Sequence, residues 1–158
     1  KVLIAAGVSV AIGQLSKPFT SVFLYGKEFD VRAVVQAGGF PSSHSSATVA
    51  SATLFGLERG FSDPIFGLTV VYAGLIMYDA QGVRREVGIH ARTLNKLLIH
   101  MQANTLRSKI RQIEAEEISN SAIDSIPPLK ESIGHTEIEV IAGALLGFLV
   151  ALAVNNVM

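Results

Sequence analysis

Cysteine is missing from all 158 residues. That excludes disulfides, thiolate metal sites and cysteine nucleophiles, and it leaves the redox compartment open. Charge is scarce too: Asp, Glu, Lys and Arg make up 16% of the chain, against about 25% in soluble domains. Basic and acidic residues cancel to a formal net charge of zero, so no overall field draws a polyanion and nucleic acid is not an expected partner. The carboxylates do not cluster as a hard divalent cation requires, so neither a metal nor another cofactor is expected. No internal repeat stands out. The chain begins at Lys1 with no Met, which fits a processed organellar protein.

What is present in quantity is apolar. Hydrophobic residues reach 49% and the mean hydropathy is +0.44, a balance that leans toward the membrane. The length suits one domain over 1–158. Residues 2–15 carry no charge, and the apolar character resumes at Phe19–Tyr25 after Lys17 and Pro18, which reads as one interrupted membrane segment. An unpaired ammonium is costly there, so Lys17 either faces a polar cavity or snorkels to the surface. Pro64–Tyr78 is a second apolar run, just long enough for a thin bilayer core. Val140–Met158 is the longest strongly apolar run without charge, and its Gly143 and Gly147 form a G-x-x-x-G pair suited to close helix contact. Between the last two runs, residues 86–121 are amphipathic and read as surface helices, followed by a Ser, Asn and Pro connector over 119–128. The expected fold is all-α: a small membrane bundle of three to five helices with a surface amphipathic helix.

Three stretches carry chemistry. In Gly38-Gly39-Phe40-Pro41-Ser42-Ser43-His44-Ser45, two glycines precede a helix start whose first N–H groups point outward, an arrangement suited to an anion. Pro41 reads as the first helical residue. Ser42 and Ser43 can donate to phosphate oxygens, and His44 can protonate a leaving oxygen; plain helix capping is the alternative. In Gly134-His135-Thr136-Glu137-Ile138-Glu139, Glu139 lies one helical turn beyond His135 and can hold one imidazole nitrogen, leaving the other as an electron-pair donor. Here too a capping histidine is the plainer reading. Arg84 and Arg85 follow an apolar run, where guanidinium groups bind phosphate oxygens or simply set topology.

These stretches together resemble the divergent branch of the type 2 phosphatidic acid phosphatase and vanadium-haloperoxidase-related superfamily. Residues 38–45 are similar to its P-S-x-H block. Tyr-Asp-Ala-Gln-Gly-Val-Arg-Arg at 78–85, with Leu94-Asn95, is similar to a stretch typical of the branch, and 134–147 resembles the third block, with Glu139 where Asp is usual. The resemblance implies that His135 attacks phosphorus, that Glu139 orients and polarises it, and that His44 protonates the departing alcohol. It also implies that Ser43 and the Gly39 backbone bind phosphoryl oxygens. The superfamily's first block sets a Lys and an Arg seven residues apart. Here the candidates Lys17 and Arg32 are fifteen apart, and a third-block arginine is replaced by Leu129, so Arg84 or Arg85 would supply the guanidinium. His90, six residues after Arg84, is the rival nucleophile.

The function expected from the resemblance is metal-independent hydrolysis of a lipid-linked phosphate through a phosphohistidine. The substrate class is phosphatidate, phosphatidylglycerophosphate or a prenyl diphosphate. Haloperoxidase activity is the enzymatic alternative. A silent lipid-binding subunit of a membrane complex, or a docking face on 86–121, are the non-enzymatic ones. Lipid phosphate and membrane lipids are the expected partners, in a chloroplast membrane or a bacterial inner membrane.

Overall fold

The computed structural model describes residues 1–26, 28–111 and 127–158, and it is an all-α membrane bundle. In order come α1 (Val2–Tyr25), a short 3-10 helix (Val31–Val35), α2 (Ser43–Arg59), α3 (Pro64–Gln81), α4 (Val83–Arg111) and α5 (Glu137–Val157). Among the described residues three stretches are long and apolar enough to cross a membrane: Val2–Tyr25, Glu137–Val157, and Pro64–Asn104, whose apolar part is α3. Contacts divide the chain into two units, Lys1–Glu86 with Ser132–Met158, and Val87–Glu131.

Two expectations about helix ends are corrected. The interruption expected near Pro18 is not there: α1 runs through it and stops at Gly26, whose left-handed φ of 59° turns its N–H back onto the carbonyls of Ser21 and Val22. Proline removes one N–H, but hydroxyls of the same segment take up carbonyls around it. Ser16 donates to Gly13 at 3.0 Å and Ser21 to Pro18 at 2.7 Å, which keeps the helix intact in apolar surroundings. Nor does Pro41 open α2. The helix starts at Ser43 because the Ser42 side chain caps it, accepting from the Ser45 N–H at 3.4 Å and from the Ser45 hydroxyl at 3.0 Å. At α3 the cap is Asp63, 2.7 Å from the Ile65 N–H, with Pro64 in the first turn.

Within the first unit α2 is central, packed by α1, α3 and α5. Small residues permit this. Gly13 of α1 faces the Cβ of Ser43, while Gly143 and Gly147 of α5 lie against the carbonyls of Ser42 and Ser46, where any Cβ would collide with backbone. The G-x-x-x-G pair is thus spent on α2. The core is Ala5, Ala50, Leu54, Val150 and Ala151, and large side chains such as Leu3, Phe23, Leu68, Val71 and Leu145 point outward. Small and polar inside with large and apolar outside reverses a soluble domain's pattern and suits a lipid surround.

In the second unit the α4 residue Asn95 is buried. Its amide donates to the Leu129 carbonyl at 2.9 Å and to Glu131 at 2.8 Å, and it accepts from the Leu129 N–H at 2.9 Å. Arg92 meets Glu131 at 3.4 Å. The amphipathic helix expected over 86–121 is seen to Arg111 as α4. Most of the connector expected at 119–128 lies outside the described residues.

Candidate active site

The start of α5 is built around Gly134. Its φ is 82°, and an added Cβ would run into the backbone of Arg84 and Arg85. Only glycine lets the chain pass so close to the start of α4. The next residue, His135, donates its N–H to the Ala80 carbonyl at 2.9 Å, so the end of α3 holds it in place. Thr136 and Glu139 form a capping box: the Thr136 hydroxyl accepts from the Glu139 N–H at 3.4 Å, and Glu139 Oε2 accepts from the Thr136 N–H at 3.0 Å. That same Oε2 lies 3.1 Å from His135 Nδ1. A carboxylate only accepts, so Nδ1 carries a proton, and in the neutral ring Nε2 is the nitrogen with the lone pair. Buried His135 Nε2 has no hydrogen-bond partner among the described residues. The Glu139 side chain thus reaches both the helix cap and the imidazole.

The start of α2 is pinned to the same place. Lys17, only 3% exposed, donates from Nζ to the Gln36 carbonyl at 2.7 Å, and the Thr20 hydroxyl bonds the Phe40 carbonyl at 2.6 Å. These bonds fasten the glycine loop onto α1. Gly39 has φ of 96° and lies over the Lys17 stem, while Gly38 abuts the carbonyls of Ser132 and Gly134. Ser42 N–H then donates to the Glu139 carbonyl at 2.9 Å. The result is that the His44 and His135 rings stand 6.1 Å apart at an interplanar angle of 64°. His44 Nδ1 is also buried without a partner among the described residues. His44 lies outside the three spanning stretches, and its pKa is held below the ordinary 6.5, by burial first, then by the cations Arg84 and Lys17, against a smaller opposing effect of Asp79.

Of the residues singled out from sequence, His44, His135, Glu139, Lys17, Gly39 and Arg84 converge. Arg84 is held by Asp79, Nε to Oδ2 at 2.5 Å. The others are placed differently. Ser42 uses its hydroxyl as a helix cap, and Ser43 is buried against Gly13 of α1. Arg32 and Arg85 are exposed, and the Arg32 N–H bonds the Asp30 cap at 2.8 Å. His90 is exposed in the second unit. Four participants were not singled out: Tyr25, whose hydroxyl bonds Glu139 Oε1, Asp79, Gln36 and Thr136. The T-x-x-E pattern marks Thr136 as a capping box, whereas Tyr25 has no local signature.

An apolar cavity of about 600 Å3 has walls from α2, α3 and α5, with Val49, Phe66, Ala73, Met77 and Phe148 among its lining. Its volume falls in the range of small-molecule sites, roughly 300–1,000 Å3. Met77 is two residues before Asp79 and Val49 five after His44.

A bundle of helices apolar enough to span a membrane, with two facing imidazoles, the buried Lys17 and the partly exposed Arg84 at one place, is a membrane protein. The chain belongs to the Divergent PAP2 family, whose model matches residues 1–150. It is 36% identical over 130 residues to "Uncharacterized membrane protein YuiD" of Bacillus subtilis (strain 168), covering 82% of this chain and 78% of that protein. No solved structure matches it.

Proposed function

We propose that this protein is a membrane phosphatase for a lipid-linked phosphate, working through a phosphohistidine on His135. The observation that carries the reading is the buried Nε2 of His135, unpartnered among the described residues, whose other nitrogen meets a carboxylate and whose ring faces His44 at 6.1 Å. In the first step Nε2 attacks phosphorus as the bond from phosphorus to the ester oxygen breaks. His44 gives its proton to the departing alkoxide. In the second, water attacks the phosphohistidine, returns a proton to His44 and releases inorganic phosphate. Lys17, Arg84 and the N–H groups beside Gly39 offset the charge that spreads over the phosphoryl oxygens. The lipid part of the reading is supported by the apolar cavity between α3 and α5 and by the apolar outer face of the bundle. The bacterial relative supports a bacterial membrane as the site of action.

The test is purified protein in detergent, offered phosphatidate, phosphatidylglycerophosphate and prenyl diphosphates with and without orthovanadate. Phosphate release that vanadate inhibits and His135→Ala abolishes is expected. Binding of the lipids with no release from any of them would favour a second reading, a silent lipid-binding subunit of a membrane complex. One observation favours that alternative: Arg32, the candidate partner of Lys17, is exposed.

A further inference from the structure

The geometry points to Tyr25 as a positioning residue that locks the Glu139 carboxylate onto His135, an inference that rests on the phosphohistidine reading. Glu139 is 6% exposed and takes three donors. The His135 imidazole and the Thr136 N–H share Oε2, at 3.1 and 3.0 Å, and the Tyr25 hydroxyl occupies Oε1.

Without that phenol, Oε1 would lose its Tyr25 donor, and the carboxylate could swing about its terminal bond until neither oxygen faces Nδ1 squarely. The His135 tautomer depends on Oε2 staying where it is, because only an acceptor at Nδ1 keeps Nε2 bare. The Tyr25 ring is 46% exposed, so burial gives little reason for its position. Its hydroxyl is the part that reaches a buried group. The chain fixes it there from both sides: Tyr25 is the last residue of α1, Gly26 halts the helix in the left-handed region directly after it, and Lys17, eight residues earlier, is anchored to Gln36. Helix α1 therefore supplies two groups to the site, a cation toward the phosphoryl oxygens and a phenol toward the base of the nucleophile. Tyr25 touches neither the reacting atoms nor the substrate; it acts through Glu139.

A plain staple between α1 and α5 would look similar in the structure, and a double-mutant cycle separates the two. Tyr25→Phe keeps the ring and removes the hydroxyl. In full-length protein in detergent, it is expected to weaken orthovanadate binding about tenfold and to lower kcat about tenfold with KM within about twofold. In a Glu139→Gln background the same substitution is expected to change each by less than about twofold, because the group it acts through is gone. The 15N shifts of the His135 imidazole read the cycle without any ligand: Nδ1 protonated in the wild type, mixed tautomers in Tyr25→Phe. Equal losses in both backgrounds, or wild-type shifts and affinity in Tyr25→Phe, would overturn the assignment. Coupling in vanadate binding and in the shifts, with no phosphate ester turned over by the wild type, would keep Tyr25 in its role and remove the phosphatase reading. Turnover by the wild type with Tyr25→Phe equal to it would do the reverse.

Discussion

His135 and His44 look at each other across the site from helix starts of opposite construction. His135 sits just outside the α5 cap, 2% exposed, one nitrogen on a carboxylate and its backbone tied to α3. His44 lies inside the first turn of α2, half-buried, with cations around it and its Nδ1 unpaired among the described residues. The difference teaches how one residue type divides two tasks. A neighbouring carboxylate favours one tautomer, which in the proposed mechanism serves a nucleophile. Burial first, and nearby cations second, weaken the hold on a proton, which in the proposed mechanism suits an acid that gives it up.

The largest way to break this comparison is to remove the nucleophile. His135→Ala is expected to lower kcat by about four orders of magnitude or more, and Glu139→Gln by about three to four, since the tautomer is lost while the ring stays. Phosphate release from the best lipid substrate measures both. His44→Ala should cost about 10²–10⁴-fold on an alkyl ester, but much less on p-nitrophenyl phosphate, whose leaving group needs no proton. If the leaving group made no difference, the assigned roles would be wrong.

Arg84 and Arg85 sharpen the same contrast, because they are adjacent in sequence and only one acts on His44. Arg84→Gln is expected to reduce kcat/KM about a hundredfold by removing a preorganised cation. Arg85→Gln should stay within about threefold. A finer effect is on pH. His44 must hold its proton to serve as acid, and its folded value lies below 6.5, so kcat/KM should fall as pH rises through a value below 6.5. Asp79→Asn removes a contribution that raises that value and should move the limb to lower pH; Arg84→Gln should move it higher.

Much of the bundle could be read from the chain. The apolar runs at the start, at Pro64–Tyr78 and at the end become α1, α3 and α5, and the Gly143 and Gly147 spacing announces a close contact. The sequence does not say against which helix, and the structure answers with the α2 carbonyls of Ser42 and Ser46. Gly147→Ala is therefore expected to destabilise the bundle by about 1–3 kcal/mol, measured by unfolding in detergent. The local pairing of His135 with Glu139 was also legible, since one helical turn separates them. The rest of the site depends on contacts distant in sequence. Tyr25 meets a partner 114 residues away, and Lys17 finds the Gln36 carbonyl only because the glycine loop folds back on α1. Pro18 and Pro41 misled for a shared reason: neighbouring serine hydroxyls, around Pro18 and at the Ser42 cap, decide the helix path more strongly than proline does.

The most direct test is chemical. Rapidly quenched protein, mixed with substrate and digested under alkaline conditions that preserve phosphohistidine, should give a peptide carrying one phosphoryl group on Nε2 of His135, and the label should persist longer when the second step is slowed by His44→Ala. A phosphoryl group on His44 or His90, or turnover with His135 unlabelled at every quench time, would contradict the account.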